Sequence, residues 1–287
     1  MCLNATVFIT GASTGIGKAC SLYLDKMGFH VFAGIRKHSD GDSLKQEASN
    51  RLKTIFIDVT DADSIRAAVA AVARLTENKL FALINNAGIA FGGPLEMLPI
   101  QDIQRLLEVN VTGVIAVTKA FIPLLRARRG RIINMGSTSG LLALPCLSAY
   151  AASKFALEAI TDSLRVELSP LGVSVIIIES GNIETPIWEK GLVATNKIVA
   201  NTSPEIRNLY NPLIEFSKRI ALNSYRSPAA KVARVASQAL RARNPKRRYM
   251  VGIDARFLKL ISQLPCLVRD WIILKALPSY GYELNKL

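Results

Sequence analysis

The chain has 287 residues, of which 50% are hydrophobic and 20% charged, an ordinary globular composition with length enough for one large α/β domain and a sizeable core. Lys and Arg exceed Asp and Glu by 14, while only two histidines, His30 and His38, are present. A Ser-His-Asp or Cys-His hydrolase needs an imidazole beside its nucleophile, and this composition has almost none to offer.

The cysteines Cys2, Cys20, Cys146 and Cys266 lie far apart with no zinc or dithiol spacing, which points to buried or inert thiols of a reducing compartment. The apolar run at Ala5 to Ile9 leads straight into a glycine-rich loop, without a basic leader or a small-residue cleavage site, so no signal peptide is expected. No uninterrupted apolar run approaches the length that spans a bilayer, and a cytoplasmic protein is the expectation, with peripheral membrane contact as an addition.

Ala5 to Thr10 is short, apolar and β-branched, the pattern of a buried parallel strand. Thr10-Gly11-x-x-x-Gly15-Ile16-Gly17 follows, then a helical pattern to Met27, with Gly28 suited to its C-terminal cap, and a second strand at Val31 to Ile35. Glycines so placed let the backbone turn tightly and approach a pyrophosphate, whose charge is stabilised at the helix N-terminus. Between a strand and a helix, this spacing predicts a dinucleotide site. The residue ending the second strand selects the dinucleotide, because a carboxylate there accepts from ribose hydroxyls and repels a 2′-phosphate. Here Arg36 and Lys37 stand at that point, with Ser13 in the loop to add a hydroxyl, so NADP(H) is expected over NAD(H).

A third strand is expected at Thr54 to Ile57, ending at Asp58 and Val59 where an adenine amino group can be met. A helix over Asp61 to Leu75 and a strand over Phe81 to Ile84 lead to Asn85, Asn86, Ala87 and Gly88. This alternation predicts a doubly wound parallel sheet whose ligands sit beyond the carboxyl ends of its strands. A long helix from about Asp102 to Leu125 carries Asn110 in its middle, where asparagine is a mediocre helix former and suggests a polar duty.

The stretch from Ser137 to Lys154 holds the chemistry. A fifth strand, Arg131 to Met135, ends at Ser137, an apolar loop with Leu141, Leu142 and Leu144 follows, and a helix opening near Ser148 bears Tyr150 and Lys154. Four residues apart, these two side chains project from one helix face and address one small volume. A free phenol ionises near pH 10, and a neighbouring ammonium favours the phenolate and brings it toward the range where acid–base catalysis works. Ser137 then serves to hydrogen-bond the substrate oxygen.

A sixth strand at Val173 to Ile178 empties into 179–186, where Gly181, Ile183 and Thr185 are placed to reach a nicotinamide carboxamide. Residues 186–226 carry scattered apolar side chains, Trp188 among them, and read as a substrate loop or lid. Ser227 and Pro228 look like the N-cap and first turn of a helix, and a last strand is expected at Arg248 to Ile253. Between Phe216 and Ile253 no acidic residue interrupts the basic ones, Arg247 and Arg248 included, which fits either a solvated face or attraction to an anionic surface. Aromatics are not interleaved as a base-stacking platform requires, so no nucleic-acid partner is expected. The apolar extension 254–287 is broken by charges and Pro265; core or cap packing is favoured over a position on a membrane surface. A single domain over 1–287 is expected.

Taken together, Thr10 to Gly17, Asp58, Asn85 to Gly88, Asn110, Ser137, Tyr150-x-x-x-Lys154 and Thr185 resemble the short-chain dehydrogenase/reductase family. The resemblance implies a single Rossmann-type sheet of seven strands in the order 3-2-1-4-5-6-7 with helices on both faces, and hydride transfer between nicotinamide and a carbonyl carbon. It implies Tyr150 as acid/base, Lys154 as its partner and ribose anchor, Ser137 as the carbonyl-orienting hydroxyl, and Asn110 as the holder of a relay water. It also implies a homodimer or homotetramer built on the helices containing Asn110 and Tyr150. Family members usually have Pro-Gly after the sixth strand, whereas this chain has Ser180-Gly181. The C-terminal third resembles the hydroxysteroid and retinol dehydrogenase branch, which implies a steroid-, retinoid- or lipid-like substrate in a pocket with Ser137, Leu144, Tyr150 and Trp188. Two other readings remain open: a 3-oxoacyl reductase whose basic face docks an acidic carrier protein or coenzyme A ester, and a non-catalytic dinucleotide-sensing or membrane-associated scaffold.

Overall fold

Short β-branched runs with apolar side chains on both faces can be satisfied only between two layers of helices. In the computed structural model, which describes residues 5–277, this is what they do. Strands β1 (Thr6–Ile9), β2 (His30–Ile35), β3 (Leu52–Phe56), β4 (Ala82–Asn85), β5 (Arg131–Ser137), β6 (Ser174–Ser180) and β9 (Arg248–Val251) form one parallel sheet in the order β3-β2-β1-β4-β5-β6-β9. The two-residue segments β7 (Ile183–Glu184) and β8 (Ser227–Pro228) pair with each other, which is why the last strand of the large sheet is ninth along the chain. The expected order is thus observed apart from that number.

One face of the sheet is covered by α1 (Gly15–Lys26), α2 (His38–Glu47) and α9 (Ala229–Arg241), joined in a core that includes Leu24, Leu44, Val232 and Ala236. The other carries α3 (Ala62–Leu75) and α5 (Gly113–Arg128), where Phe121 stacks on Phe8 of β1 at 4.6 Å between ring centroids. Burying a side chain of that size contributes about 2–3 kcal/mol. Helix α6 (Ser148–Leu168) lies against β5 and β6.

Several expectations are corrected by packing. The long helix is a run from Ile100 to Arg128, composed of α4 (Ile100–Leu107), a π turn (Glu108–Thr112) and α5. Within its 29 residues an 18-residue window reaches a mean hydropathy of 1.4, enough by length and composition to cross a bilayer. The buried Val117, Phe121, Leu124 and Leu125 direct that apolarity into the core. The segment 186–226 is a pair of helices, α7 (Ile187–Ala200) and α8 (Pro204–Asn223), in place of a loop. Ser227 does not cap α9: it pairs with Ile183, and its amide donates to the Asn182 carbonyl at 2.8 Å. The polar helix α2 escaped the sequence reading because its ten residues leave only Gly41 and Leu44 buried, too few for a periodic signal.

Of the extension 254–287, residues 278–287 lie outside the described residues. The rest forms α10 (Ile253–Ser262) and α11 (Cys266–Ala276). Against the favoured core or cap packing, only Ala255 and Ile261 are buried there, while Phe257, Leu260, Leu267 and Trp271 are each more than half exposed. Cys20 and Cys146 are buried, the Cys20 thiol pushed up to about 12 by burial, but Cys266 is exposed.

Candidate active site

The carboxyl ends of β1, β4, β5 and β6 converge on one edge of the sheet. At β1, Gly11 and Gly15 adopt φ of +63° and +55°, which an L side chain rarely adopts. A Cβ on Gly17 would stand 2.2 Å from the Gly11 carbonyl oxygen, so the loop can close onto α1 only with glycine there. The loop is clamped from β4: Asn86 Nδ2 donates to the Thr10 and Gly11 carbonyls at 3.0 Å each, and the amides of Asn86 and Ala87 donate to Thr10 Oγ1, each at 3.0 Å. Asn86 therefore acts on the loop itself. Thr185 touches the same loop, its Cβ and Cγ2 lying 3.1 Å from where a Gly15 Cβ would be.

Helix α1 begins at Gly15 with no side-chain cap and no acid in its first turn, so its N-terminal amides remain available to an anion. Ser13 is half-buried beside it, and Arg36 and Lys37 are exposed at the end of β2. Gly88 is exposed, and Val59 is buried at the end of β3. Burial raises the Asp58 carboxyl, but Thr60 donates to it through its amide (2.9 Å) and hydroxyl (2.7 Å), and Arg36 and Arg105 add positive charge, so it lies below the usual carboxylate range. These features fit a phosphate-bearing dinucleotide.

Between β5 and α6 the structure brings the hydroxyl, phenol and amine into one region. Ser137, at the end of β5, is buried with its Oγ accepting from the Ser139 amide at 3.2 Å. Lys154 Nζ donates to the Met135 carbonyl at 2.9 Å and stands 5.7 Å from the centroid of the Tyr150 ring. The lysine is thus tied to the strand that delivers Ser137. Asn110 sits in the π turn, buried, with Oδ1 accepting from the Ile89 amide (2.9 Å) and Nδ2 donating to the Ile89 carbonyl (2.9 Å) and Ser153 Oγ (3.1 Å). Ser153 Oγ in turn donates to the Tyr150 carbonyl at 2.7 Å. The side chain that looked like a poor helix former therefore joins the β4 loop to the helix bearing Tyr150.

Residues matching the family described as short chain dehydrogenase span 5–193, and thus include the glycine loop, β4, the π turn, β5, α6 and Thr185. The chain belongs to this family. Like other short-chain dehydrogenases it is an NAD(P)-dependent oxidoreductase acting on small molecules. It is 40% identical over 286 residues to retinol dehydrogenase 5 of Mus musculus, covering 96% of this chain and 89% of that protein. It is 37% identical to the 3-amino-tetrahydro-pyrrolizinone reductase of Xenorhabdus hominickii, with 88% of each chain covered. The retinol dehydrogenase relatives place this short-chain dehydrogenase in the retinol and hydroxysteroid branch. In fold it is similar to a short-chain dehydrogenase from Streptomyces avermitilis, with a TM-score of 0.79, 24% identity, and coverage of 96% of this chain and 99% of that one.

The turn at Ser180-Gly181, where the dehydrogenase departs from Pro-Gly, is held by a residue the sequence reading did not single out. Asp254, in the first turn of α10, accepts from the Asn182 amide at 2.6 Å, and a Cβ on Gly181 would lie 2.1 Å from its Oδ2. Ser180 Oγ donates to the Gly136 carbonyl at 3.3 Å. Ile183 is buried just beyond, and its carbonyl accepts from Trp188 Nε1 at 2.8 Å. The indole face is covered by the Arg226 guanidinium at 5.4 Å, so this expected substrate contact has its N–H and one face already engaged. Leu144 is half-buried in the loop before α6. Arg248 turns in from the expected basic surface, half-buried and paired with Glu158 and Glu179 beneath the site.

Proposed function

We propose that the protein is an NADP-dependent oxidoreductase for a lipophilic ketone or aldehyde and the corresponding alcohol, of retinoid, steroid or similar lipid type. The observation that carries this reading is the surroundings of Tyr150. It packs with Ala149 into an apolar cluster containing Phe91, Met97, Leu106 and Ile198. Beside that cluster, between α4 and α7, opens a cavity of about 390 Å³ lined by Ile89, Phe91, Met97, Pro99, Ala194 and Ile198 together with Asp102, Arg105, Lys197, Asn201 and Thr202; Tyr150 and Ser137 are not among its lining residues. Its apolar wall, continuous with the cluster around Tyr150, suits the hydrophobic part of such a molecule. Retinol dehydrogenases among the relatives agree with that class.

In this reading the Tyr150 hydroxyl gives its proton to the carbonyl oxygen in reduction and takes it back in oxidation. Ser137 Oγ hydrogen-bonds the same oxygen and orients it. Lys154, held by the Met135 carbonyl, keeps positive charge beside the phenol and faces the ribose. Asn110, with its side-chain bonds committed to Ile89 and Ser153, positions the floor of the site and the relay that returns protons to water. Gly11, Ser13, Gly15, Ile16 and Gly17 cradle the pyrophosphate, with Asn86, Ala87 and Gly88 alongside. Arg36 and Lys37 take the 2′-phosphate, Asp58 and Val59 meet the adenine, and Gly181, Ile183 and Thr185 face the carboxamide. When bound, the nicotinamide supplies the hydride chemistry.

NADPH oxidation against a panel of lipophilic ketones and aldehydes tests the reading. Turnover rising with apolar size is expected, and Tyr150→Phe should lose turnover by about a hundredfold or more while retaining cofactor. A flat panel with intact cofactor binding overturns it. For a 3-oxoacyl reductase, the exposed Arg247 with its neighbours would have to dock an acidic carrier, and charge reversal there would raise KM in a salt-sensitive way. A non-catalytic scaffold has no use for a buried serine and a clamped lysine at one strand end.

A further inference from the structure

Beneath the strand end that carries Ser137 lies a cluster that the proposed chemistry does not use. Glu179 of β6 has a fully buried side chain, Glu158 of α6 is almost so, and Arg248 of β9 reaches both carboxyls: its Nη1 donates to Glu179 Oε1, and its Nη2 donates to Glu158 Oε2 at 2.5 Å. One oxygen of each carboxyl, Glu158 Oε1 and Glu179 Oε2, is buried without a hydrogen-bond partner among the described residues. Two closely packed carboxylates share one directly paired guanidinium, and a single proton shared by the acids relieves their repulsion. That proton also lets one carboxyl donate to the other.

The position of the cluster gives it a task. Glu158 is one turn beyond Lys154 on the same helix, and a Cβ on Gly140 would touch the Lys154 carbonyl at 3.0 Å and Glu158 Cγ at 3.3 Å. Glu179 lies against the residue before Ser137, where a Cβ on Gly136 would stand 2.8 Å from its Oε2. The carbonyl that holds Lys154 belongs to Met135, one residue earlier. On the assignment of Lys154 and Ser137 made above, we propose that Glu158, Glu179 and Arg248 are positioning residues: sharing one proton, they clamp α6, β6 and β9 around the end of β5 and so fix Lys154 and Ser137. The charges that act on Glu179 are Glu158 and Lys154 from α6 and Arg248 from β9; Asp162 of α6 acts on Arg248.

The clamp has a pH signature. Burial first, then the hydrogen bond and charge of Glu158, push Glu179 up to about 9 against the attraction of Arg248 and Lys154. The pair of acids keeps this proton in the native protein well above the ordinary 4.5 at which the Glu179 carboxyl releases it once unfolded. The native state binds the extra proton between these values, so stability declines as pH rises from the lower to the higher.

Glu179→Gln, whose amide mimics the neutral acid, tests this. Its melting temperature should lose the decline that the wild type shows over that pH span. Normalised to each protein's own neutral value, its kcat/KM above about pH 9 should exceed that of the wild type by about threefold or more. In the infrared, a protonated carboxyl band present in the wild type at neutral pH should be missing from the variant. Glu179→Leu should lose turnover that Gln recovers, by about tenfold. Equal melting slopes, a constant activity ratio or an unchanged carboxyl band each overturn the proposal. Absence of turnover on every substrate would sink the functional reading alone, because the melting and infrared measurements read the clamp without it.

Discussion

Arg36 is the side chain on which the proposed choice of NADP(H) turns. It follows β2, is exposed, and its charge reaches Asp58 of the neighbouring strand end. A guanidinium there offers a forked donor to a phosphate dianion, and a carboxylate in its place would repel one. Arg36→Asp should therefore raise the KM for NADPH by about tenfold or more and change that for NADH far less. Comparable losses for both cofactors in steady-state titrations would remove Arg36 from the 2′-phosphate site. The residues legible in the sequence were of this kind: Gly11 to Gly17 and Tyr150 with Lys154 work through spacings of a few residues, which a strand or helix converts directly into geometry. The glutamates and Arg248 were not legible, because the bonds that define them join positions 69 and 90 residues apart.

At the scale of elements, the active edge depends on parts that arrive late in the chain. Periodicity located the strands and α6 to within a few residues, since their apolar patterns are set by the sheet they enter. It missed the π turn, whose extra residue leaves no mark on hydrophobic spacing beyond a polar Asn110 amid apolar neighbours. It also could not see that α10, after β9, reaches back to the turn beyond β6. Asp254→Ala should free the Asn182 amide and weaken nicotinamide-side binding. Cofactor KM should rise about three- to tenfold with the melting temperature little changed. An unchanged KM would mean that the turn holds itself through Gly181, whose amide donates to the Val251 carbonyl at 2.9 Å.

Over the whole molecule, charge and exposed apolar surface lie together toward the C-terminal side. Phe257, Leu260, Leu267 and Trp271 stand in solvent on α10 and α11, and exposed Arg241, Arg243, Lys246 and Arg247 are close in sequence. Cations combined with protruding apolar groups suit an anionic lipid surface. Sedimentation with vesicles containing phosphatidylserine should retain the protein at low salt and release part of it at moderate salt, and Trp271→Asp with Leu267→Asp should lower retention. Recovery in the supernatant at every salt would dismiss the lipid contact. This surface could not be read from composition alone, because the same greasy segment satisfies a core or a membrane equally well until its packing is known.

The Asp254 contact gives that surface a mechanical meaning. The exposed tail and the turn at Gly181 and Asn182 are linked in series through one carboxylate, which accepts from the Asn182 amide at 2.6 Å. Lifting α10 from the sheet would break this bond and pull on β9 through Gly252, the one residue between them. On the nicotinamide placement proposed above, that end of the cleft would respond to how the tail is seated.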